Sequence, residues 1–213
     1  MMKYKTVIWD VDGTLLDTHQ GVAASVRYSL DKCGVDWNET HISRILNTPK
    51  IKGAFMTIMG MSEHDSEIAT DIFRNQYKDV DLLKAKRYPG VVKVLETLKR
   101  AGINQAIATN KRQDCALTIC HHFKLDKYCA PIIGGDRYNS RSKSDLIQDC
   151  LDTLGVTDKS STVMIGDMPA DKEAAELLGI DFIGVNYGFG FRDNPKYANS
   201  PIDILNKMNE RSK

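Results

Sequence analysis

Helical stretches in this chain stop four times at the same kind of signature: Cys33-Gly34-Val35, Ala101-Gly102-Ile103, Leu154-Gly155-Val156 and Leu178-Gly179-Ile180. At each stop a glycine can take the left-handed capping conformation while the apolar residue after it packs back on the helix. Around these stops lie short apolar runs: Tyr4 to Trp9, Gln105 to Ala108, Pro131 to Gly134, Thr162 to Ile165 and Phe182 to Val185. Runs of this kind, alternating with helices, belong to strands covered on both faces. The expected fold class is therefore α/β, a doubly wound parallel sheet. Such sheets bind ligands beyond the carboxyl ends of their strands, so residues far apart in sequence can meet there.

One stretch departs from this pattern. From about Thr18 to about Leu83 no buried strand is expected. Instead Val22, Val26, Ser29 and Leu30, then Ile42, Ile45 and Leu46, then Ile68, Ile72 and Phe73 recur at helical spacing. The chain thus reads as an α/β core, 1–16 with 85–213, interrupted by an all-helical insertion, 17–84. Hinges are expected near Leu16 to Thr18 and Lys84 to Arg87.

The strand ends carry the chemistry. Asp10-Val-Asp12-Gly13-Thr14 places two carboxylates and a glycine turn where the first strand meets solvent. Asn104-Gln-Ala-Ile-Ala-Thr109-Asn110-Lys111 ends in a hydroxyl and an amide that can donate to phosphate oxygens. Lys143 sits in Arg141-Ser-Lys143-Ser-Asp145 ahead of an amphipathic stretch, and Gly166-Asp167-Met-Pro-Ala-Asp171 closes another strand with two acids. Each has a plainer reading: a turn at Asp12-Gly13, a helix cap at Thr109, a solvated lysine at 143, turn and cap residues at Asp167 and Asp171. Together they supply what phosphoryl transfer needs, namely a nucleophile, a cation site, donors for the equatorial oxygens and a proton source.

In this order the set resembles the haloacid dehalogenase-like hydrolases. Their four motifs match Asp10-x-Asp12-Gly13-Thr14, Thr109, Lys143 and Gly166-Asp167-x-x-x-Asp171. Tyr88-Pro89-Gly90-Val91, Ala174-Ala175 and Tyr187-Gly188 extend the likeness to the phosphoglycolate phosphatase-like branch. Two departures stand out. Ser144-Asp145 follows Lys143 where that branch usually carries proline, and Met168-Pro169 follows Asp167 where small hydroxylated residues are usual.

The resemblance implies a Rossmann-like core with the insertion acting as a cap, and a phosphatase that forms an aspartyl-phosphate on Asp10. Asp12 would serve as acid and base, while Thr109 and Lys143 stabilise the transferring oxygens and Asn110 shapes the substrate loop. One Mg²⁺ would be held by the carboxylates of Asp10 and Asp167 with the backbone carbonyl of Asp12, and Asp171 would orient Lys143 or the metal's water. In the cap, Thr48-Pro49-Lys50-Ile51-Lys52-Gly53 breaks the helical pattern, so Lys50 and Lys52 are the expected substrate-facing cations; Arg44 and His19 are weaker candidates.

Phosphoglycolate leads the expected substrates, followed by other small phosphomonoesters. Asp12 argues against a dehalogenase or phosphonatase, which would lack a second acid there. A sugar-phosphate mutase would keep every motif, and a non-catalytic binding protein on the same scaffold is the other alternative. A receiver domain would be smaller, with its phosphorylated acid well inside the chain.

With 213 residues the chain can bury a sizeable core, and 29 basic against 28 acidic residues leave a net charge of +1. That balance offers no electrostatic reason to expect nucleic acid or an anionic membrane as partner. No run reaches membrane-spanning length and the amino terminus shows no signal pattern, so the expectation is a soluble cytoplasmic protein, monomer or homodimer, whose partner is a small phosphorylated metabolite. Cys33, Cys115, Cys120, Cys129 and Cys150 form no C-x-x-C pair. Helical spacing of Ala116, Ile119, Cys120 and Phe123 makes Cys120 a core residue rather than a metal ligand beside His121 and His122.

Overall fold

The computed structural model describes residues 3–48, 50–136 and 140–209. In chain order its elements begin with β1 (Thr6–Trp9), β2 (Leu16–Asp17), α1 (His19–Lys32), α2 (Glu39–Leu46), α3 (Ile51–Met59), α4 (Glu63–Gln76), a π-helical turn (Tyr77–Asp81) and β3 (Lys86–Arg87). They continue with α5 (Val91–Arg100), β4 (Asn104–Arg112), α6 (Gln113–His122), β5 (Ile132–Gly135), α7 (Lys143–Thr153), β6 (Thr162–Gly166), α8 (Pro169–Leu178), β7 (Asp181–Gly184) and α9 (Pro201–Asn209). Two compact units result, Met1–Asp17 with Arg87–Lys213, and Thr18–Lys86.

The first unit is built on a sheet of order β5-β4-β1-β6-β7, with every described neighbour pair parallel. Every residue of β1 is buried, as a strand covered on both faces requires. Ile8 with Ala106, Ala108 and Met164 packs against Leu146, Ile147 and Leu151 of α7 and Ala174 and Ala175 of α8. Trp9 faces the opposite way, as strand alternation dictates, and lines an apolar gap with Val91 and Val94 of α5 and Ile204 of α9. Its indole donates to Gln105 Oε1 at 3.2 Å, while Gln105 Nε2 donates to Leu95 O at 3.0 Å, so the buried amide is satisfied.

The four glycine stops end their helices as expected. Gly34, Gly102, Gly155 and Gly179 all have positive φ, and the apolar residue after each donates its N–H to a carbonyl in the last turn, such as Ile180 N to Ala175 O at 3.1 Å. Parallel register then collects the strand ends. Trp9 lies opposite Ile107 and Ile165, which brings Asp10, Thr109 and Asp167 to one edge of the sheet.

The second unit is helical, with a core formed by Val26, Leu30, Ile42, Ile45, Phe55 and Ala69. The turn expected over Thr48 to Gly53 is corrected: α3 starts at Ile51, so Lys52 and Gly53 are helical. Ile51, Ala54, Phe55 and Ile58 draw that segment onto the core at helical spacing; Pro49 lies outside the described residues. A second buried feature is Asp81, which accepts from Ser25 Oγ at 2.8 Å and Gln76 Nε2 at 3.1 Å and pairs with Lys84 Nζ at 2.7 Å. No helix among the described residues is long and apolar enough to cross a membrane.

Candidate active site

Asp10 follows β1 directly and is buried beside Lys143, whose Nζ lies 2.5 Å from Asp10 Oδ1 and 2.8 Å from Asp171 Oδ1. Lys143 is the first residue of α7. A capping box starts this helix: Asp145 N donates to Ser142 Oγ at 3.2 Å and Ser142 N to Asp145 Oδ2 at 2.8 Å. The helix start, and with it the lysine's root, is thus determined by local hydrogen bonds.

Asp171 has two duties. Its Oδ2 accepts from Met168 N at 3.1 Å at the start of α8, while Oδ1 faces Lys143. Asp171 thus caps α8 and faces Lys143 at once. Pro169 at the first helical position loses no hydrogen bond there and fits its fixed φ.

Asp167 is held by the segment after β7. Phe189 N donates to Asp167 Oδ2 at 2.6 Å, and Thr14 Oγ1 lies 3.4 Å from Oδ1. Tyr187 Oη donates to Thr14 O at 3.0 Å, tying the same segment to the loop after β1. Gly188 sits where a Cβ would overlap both Gly13 O and the Asp167 carboxylate, so close backbone approach requires glycine. The Tyr187-Gly188 pair is visible in the sequence, but its use as a brace for Asp167 is not.

Thr109, also buried, ends the regular part of β4, and its Oγ1 accepts Lys111 N at 3.2 Å, which leaves the hydroxyl proton to donate elsewhere. Asn110 is exposed, whereas Lys111 is turned inward with its Nζ 3.1 Å from Asp12 Oδ1. Sequence reasoning named Asn110 and passed over Lys111. The structure brings the lysine to the first motif. Asp12 is not part of the group formed by Asp10, Asp167 and Asp171, and its side chain is 30% exposed.

Burial pushes the Asp10 carboxyl well above the usual carboxylate range; Lys143 pulls it back, and Asp171, Asp167 and Asp12 push it further up. Burial likewise raises Asp167 to about 7, against the Phe189 N–H. Burial would lower the Lys143 ammonium, but Asp10 and Asp171 outweigh it and hold the group raised. The inner acids are thus crowded beyond what their lysine neutralises.

Oxygens of Asp10, Asp167 and Asp171 lie within 4.8 Å of one another. A buried, all-oxygen donor set with surplus negative charge fits a hard divalent cation such as Mg²⁺ better than a soft one. The cysteines and histidines of α6 form no such group among the described residues. Burial pushes the Cys120 thiol up to about 12, as expected of a small core residue.

In the helical unit Lys52 pairs with Glu63 at 3.4 Å and Glu67 at 3.9 Å, partners the sequence reading did not foresee. Lys50 is exposed at the start of α3.

The sequence model of haloacid dehalogenase-like hydrolases matches residues 7–185. The 5'-nucleotidase of Pseudomonas aeruginosa is 31% identical over 195 residues, covering 90% of this chain and 87% of the relative. The phosphoglycolate phosphatase of Agrobacterium fabrum is 29% identical, covering 93% and 86%. The structure of Mycobacterium tuberculosis protein tyrosine kinase A superposes with a TM-score of 0.82 at 26% identity, covering 97% of this chain and 99% of that one.

Proposed function

The chain belongs to the haloacid dehalogenase-like hydrolases, and on that premise we propose that it is a Mg²⁺-dependent phosphatase of small phosphomonoesters that works through an aspartyl-phosphate on Asp10. The observation that carries this reading is the Asp10 carboxylate at the end of the central strand, 2.5 Å from a buried lysine and grouped with Asp167 and Asp171.

In the proposed reaction an Asp10 carboxylate oxygen bonds to phosphorus as the bond to the leaving alcohol breaks, and Asp12 gives that alcohol its proton. Asp12 then takes a proton from water, which attacks the aspartyl-phosphate, releases phosphate and restores Asp10. Such proton transfer contributes typically about 10²- to 10⁴-fold. Thr109 donates its hydroxyl proton to the phosphoryl oxygens and Lys143 offsets their charge. Asp171 holds Lys143 in place. Asp10 and Asp167, with the backbone carbonyl of Asp12, would hold the cation, which supplies neutralisation of the charge that otherwise keeps carboxylate and phosphate apart.

We assign substrate selection to the helical unit, with Lys50 the first residue to test and Lys52 the second. Relatives named for nucleotides, phosphoglycolate and protein tyrosine share this core, so the core chemistry does not choose the substrate. Phosphoglycolate leads the proposed substrates and nucleoside 5'-monophosphates follow. Buried thiols at Cys115, Cys120, Cys129 and Cys150 support a reducing, cytoplasmic setting.

The test is phosphate release from p-nitrophenyl phosphate, phosphoglycolate and nucleoside monophosphates with Mg²⁺ or excess EDTA, comparing wild type with Asp10→Asn. Metal-dependent release lost in the variant is expected. Release that survives Asp10→Asn would remove the covalent mechanism, and isomerised sugar phosphate without free phosphate would favour a mutase.

A further inference from the structure

We infer that Lys111 is a positioning residue for Asp12: a buried ammonium that holds the acid-base carboxylate toward the leaving group and apart from the cation-gathering acids. The inference rests on the phosphatase reading above and adds a residue outside the four motifs.

The backbone of β4 is built for this placement. Thr109 pairs with Gly134 and Arg112 with Gly135, so one step along β5 answers three along β4. Asn110 and Lys111 are the extra residues of this bulge. Bulges re-aim side chains, and here one residue is exposed while the other turns inward.

The neighbouring strand accommodates the irregularity. Gln113 Nε2 donates to Ile132 O at 3.0 Å, and Gly134 N donates to Gln113 Oε1, replacing ladder hydrogen bonds with a side chain. A Cβ at Gly134 would lie 2.7 Å from Lys111 O, so the missing side chain there gives the bulge its room.

The lysine's surroundings supply the second argument. Its side chain is 6% exposed, and burying an ammonium is costly unless it is paired. Asp12 Oδ1 is closed to solvent and accepts no aligned hydrogen bond, so the ammonium 3.1 Å away offsets its charge. The backbone of the same residue orients the Thr109 hydroxyl. Lys111 thereby links the group that holds phosphate with the group that protonates the alcohol. Lys143 already serves Asp10 and Asp171, so the two lysines divide three of the four carboxylates between two tasks.

The discriminating measurement is the single-turnover rate of leaving-group release, since Asp12 also serves the later attack of water that both substrates share. Lys111→Met is expected to lower that rate on an alkyl phosphate about 10- to 100-fold and on p-nitrophenyl phosphate less than about 3-fold, because nitrophenolate leaves without a proton. KM should change little on either. Lys111→Arg should restore part of the alkyl phosphate rate, and it carries the test if the methionine variant does not fold. On an Asp12→Asn background Lys111→Met should cause no further loss. Equal losses on both substrates, a raised KM with kcat unchanged, or additive losses in the double variant would each overturn the inference while leaving the phosphatase reading intact. Failure of the wild type to turn over either substrate would bring down both.

Discussion

Buried carboxylates in the two units show what separates a structural acid from a reactive one. Asp81 in the helical unit has a hydroxyl, an amide and an ammonium around it. Burial works against its charge, but Lys84, Ser25 and Gln76 more than compensate and hold the carboxyl below its ordinary range. Asp10 and Asp167 are buried too, and there burial first, then neighbouring acids, outweighs the groups that favour charge, so both are pushed up. A neutralised acid ties helices together, whereas an under-neutralised group is poised to take a cation or make a bond.

The largest expected effect that follows is on turnover. Asp10→Asn should cost at least about 10⁴-fold in kcat, the scale of losing a nucleophile, whereas Asp81→Asn should leave kcat within about 3-fold once folded protein is compared. Comparable kinetic losses at both sites would break the contrast.

Next is metal binding. Gly188→Ala forces the segment after β7 away from the Asp167 carboxylate, and a loss of a supporting contact of this sort costs about 10- to 100-fold in metal affinity. Mn²⁺ titration followed by electron paramagnetic resonance measures it without recourse to activity; unchanged affinity would show that the brace does not matter.

Stability against pH should have opposite signs at the two acids. Asp81, held low, contributes stability that is present above its unfolded value of about 3.9 and is lost as pH falls through its folded value. Asp167, raised to about 7, acts the other way. In metal-free protein its penalty is absent below about pH 4 and grows until pH passes about 7. Mg²⁺ should therefore raise Tm more at about pH 8 than at about pH 5.5, since at the lower pH it must displace a proton. A Tm increment independent of pH would place the cation away from Asp167.

Asp81→Asn itself should destabilise the protein by about 1–3 kcal/mol, measured by chemical denaturation. The smallest stability effect belongs to Lys52→Ala, whose exposed pairs are worth about 0–1 kcal/mol. Combined with Lys50→Ala it should raise KM if these lysines select substrate, and an unchanged KM on every good substrate would retire them.

Much of the core was legible because its signals are local. Apolar runs, glycine stops and acids at strand ends are each short stretches, and β1, the parallel sheet and the grouping of Asp10, Thr109, Lys143, Asp167 and Asp171 follow from them. Asn110, exposed beside the inward Lys111, and Lys52, helical rather than in a turn, were not legible in this way. The first lies in a bulge that depends on Gly134 and Gln113, and the second in a helix whose start depends on packing against the helical core; neither condition is a local pattern.

By itself, then, the sequence determined which groups this protein carries to the end of its sheet, since strand length, turn chemistry and hydrophobic period are properties of neighbouring residues. Only the tertiary structure decided how those groups are partnered: Lys143 with Asp10 and Asp171, Lys111 with Asp12, Phe189 N–H with Asp167. The reason is physical. A charge takes its partner and its proton affinity from what burial places within a few ångströms, and these neighbours come from strands and loops far apart along the chain.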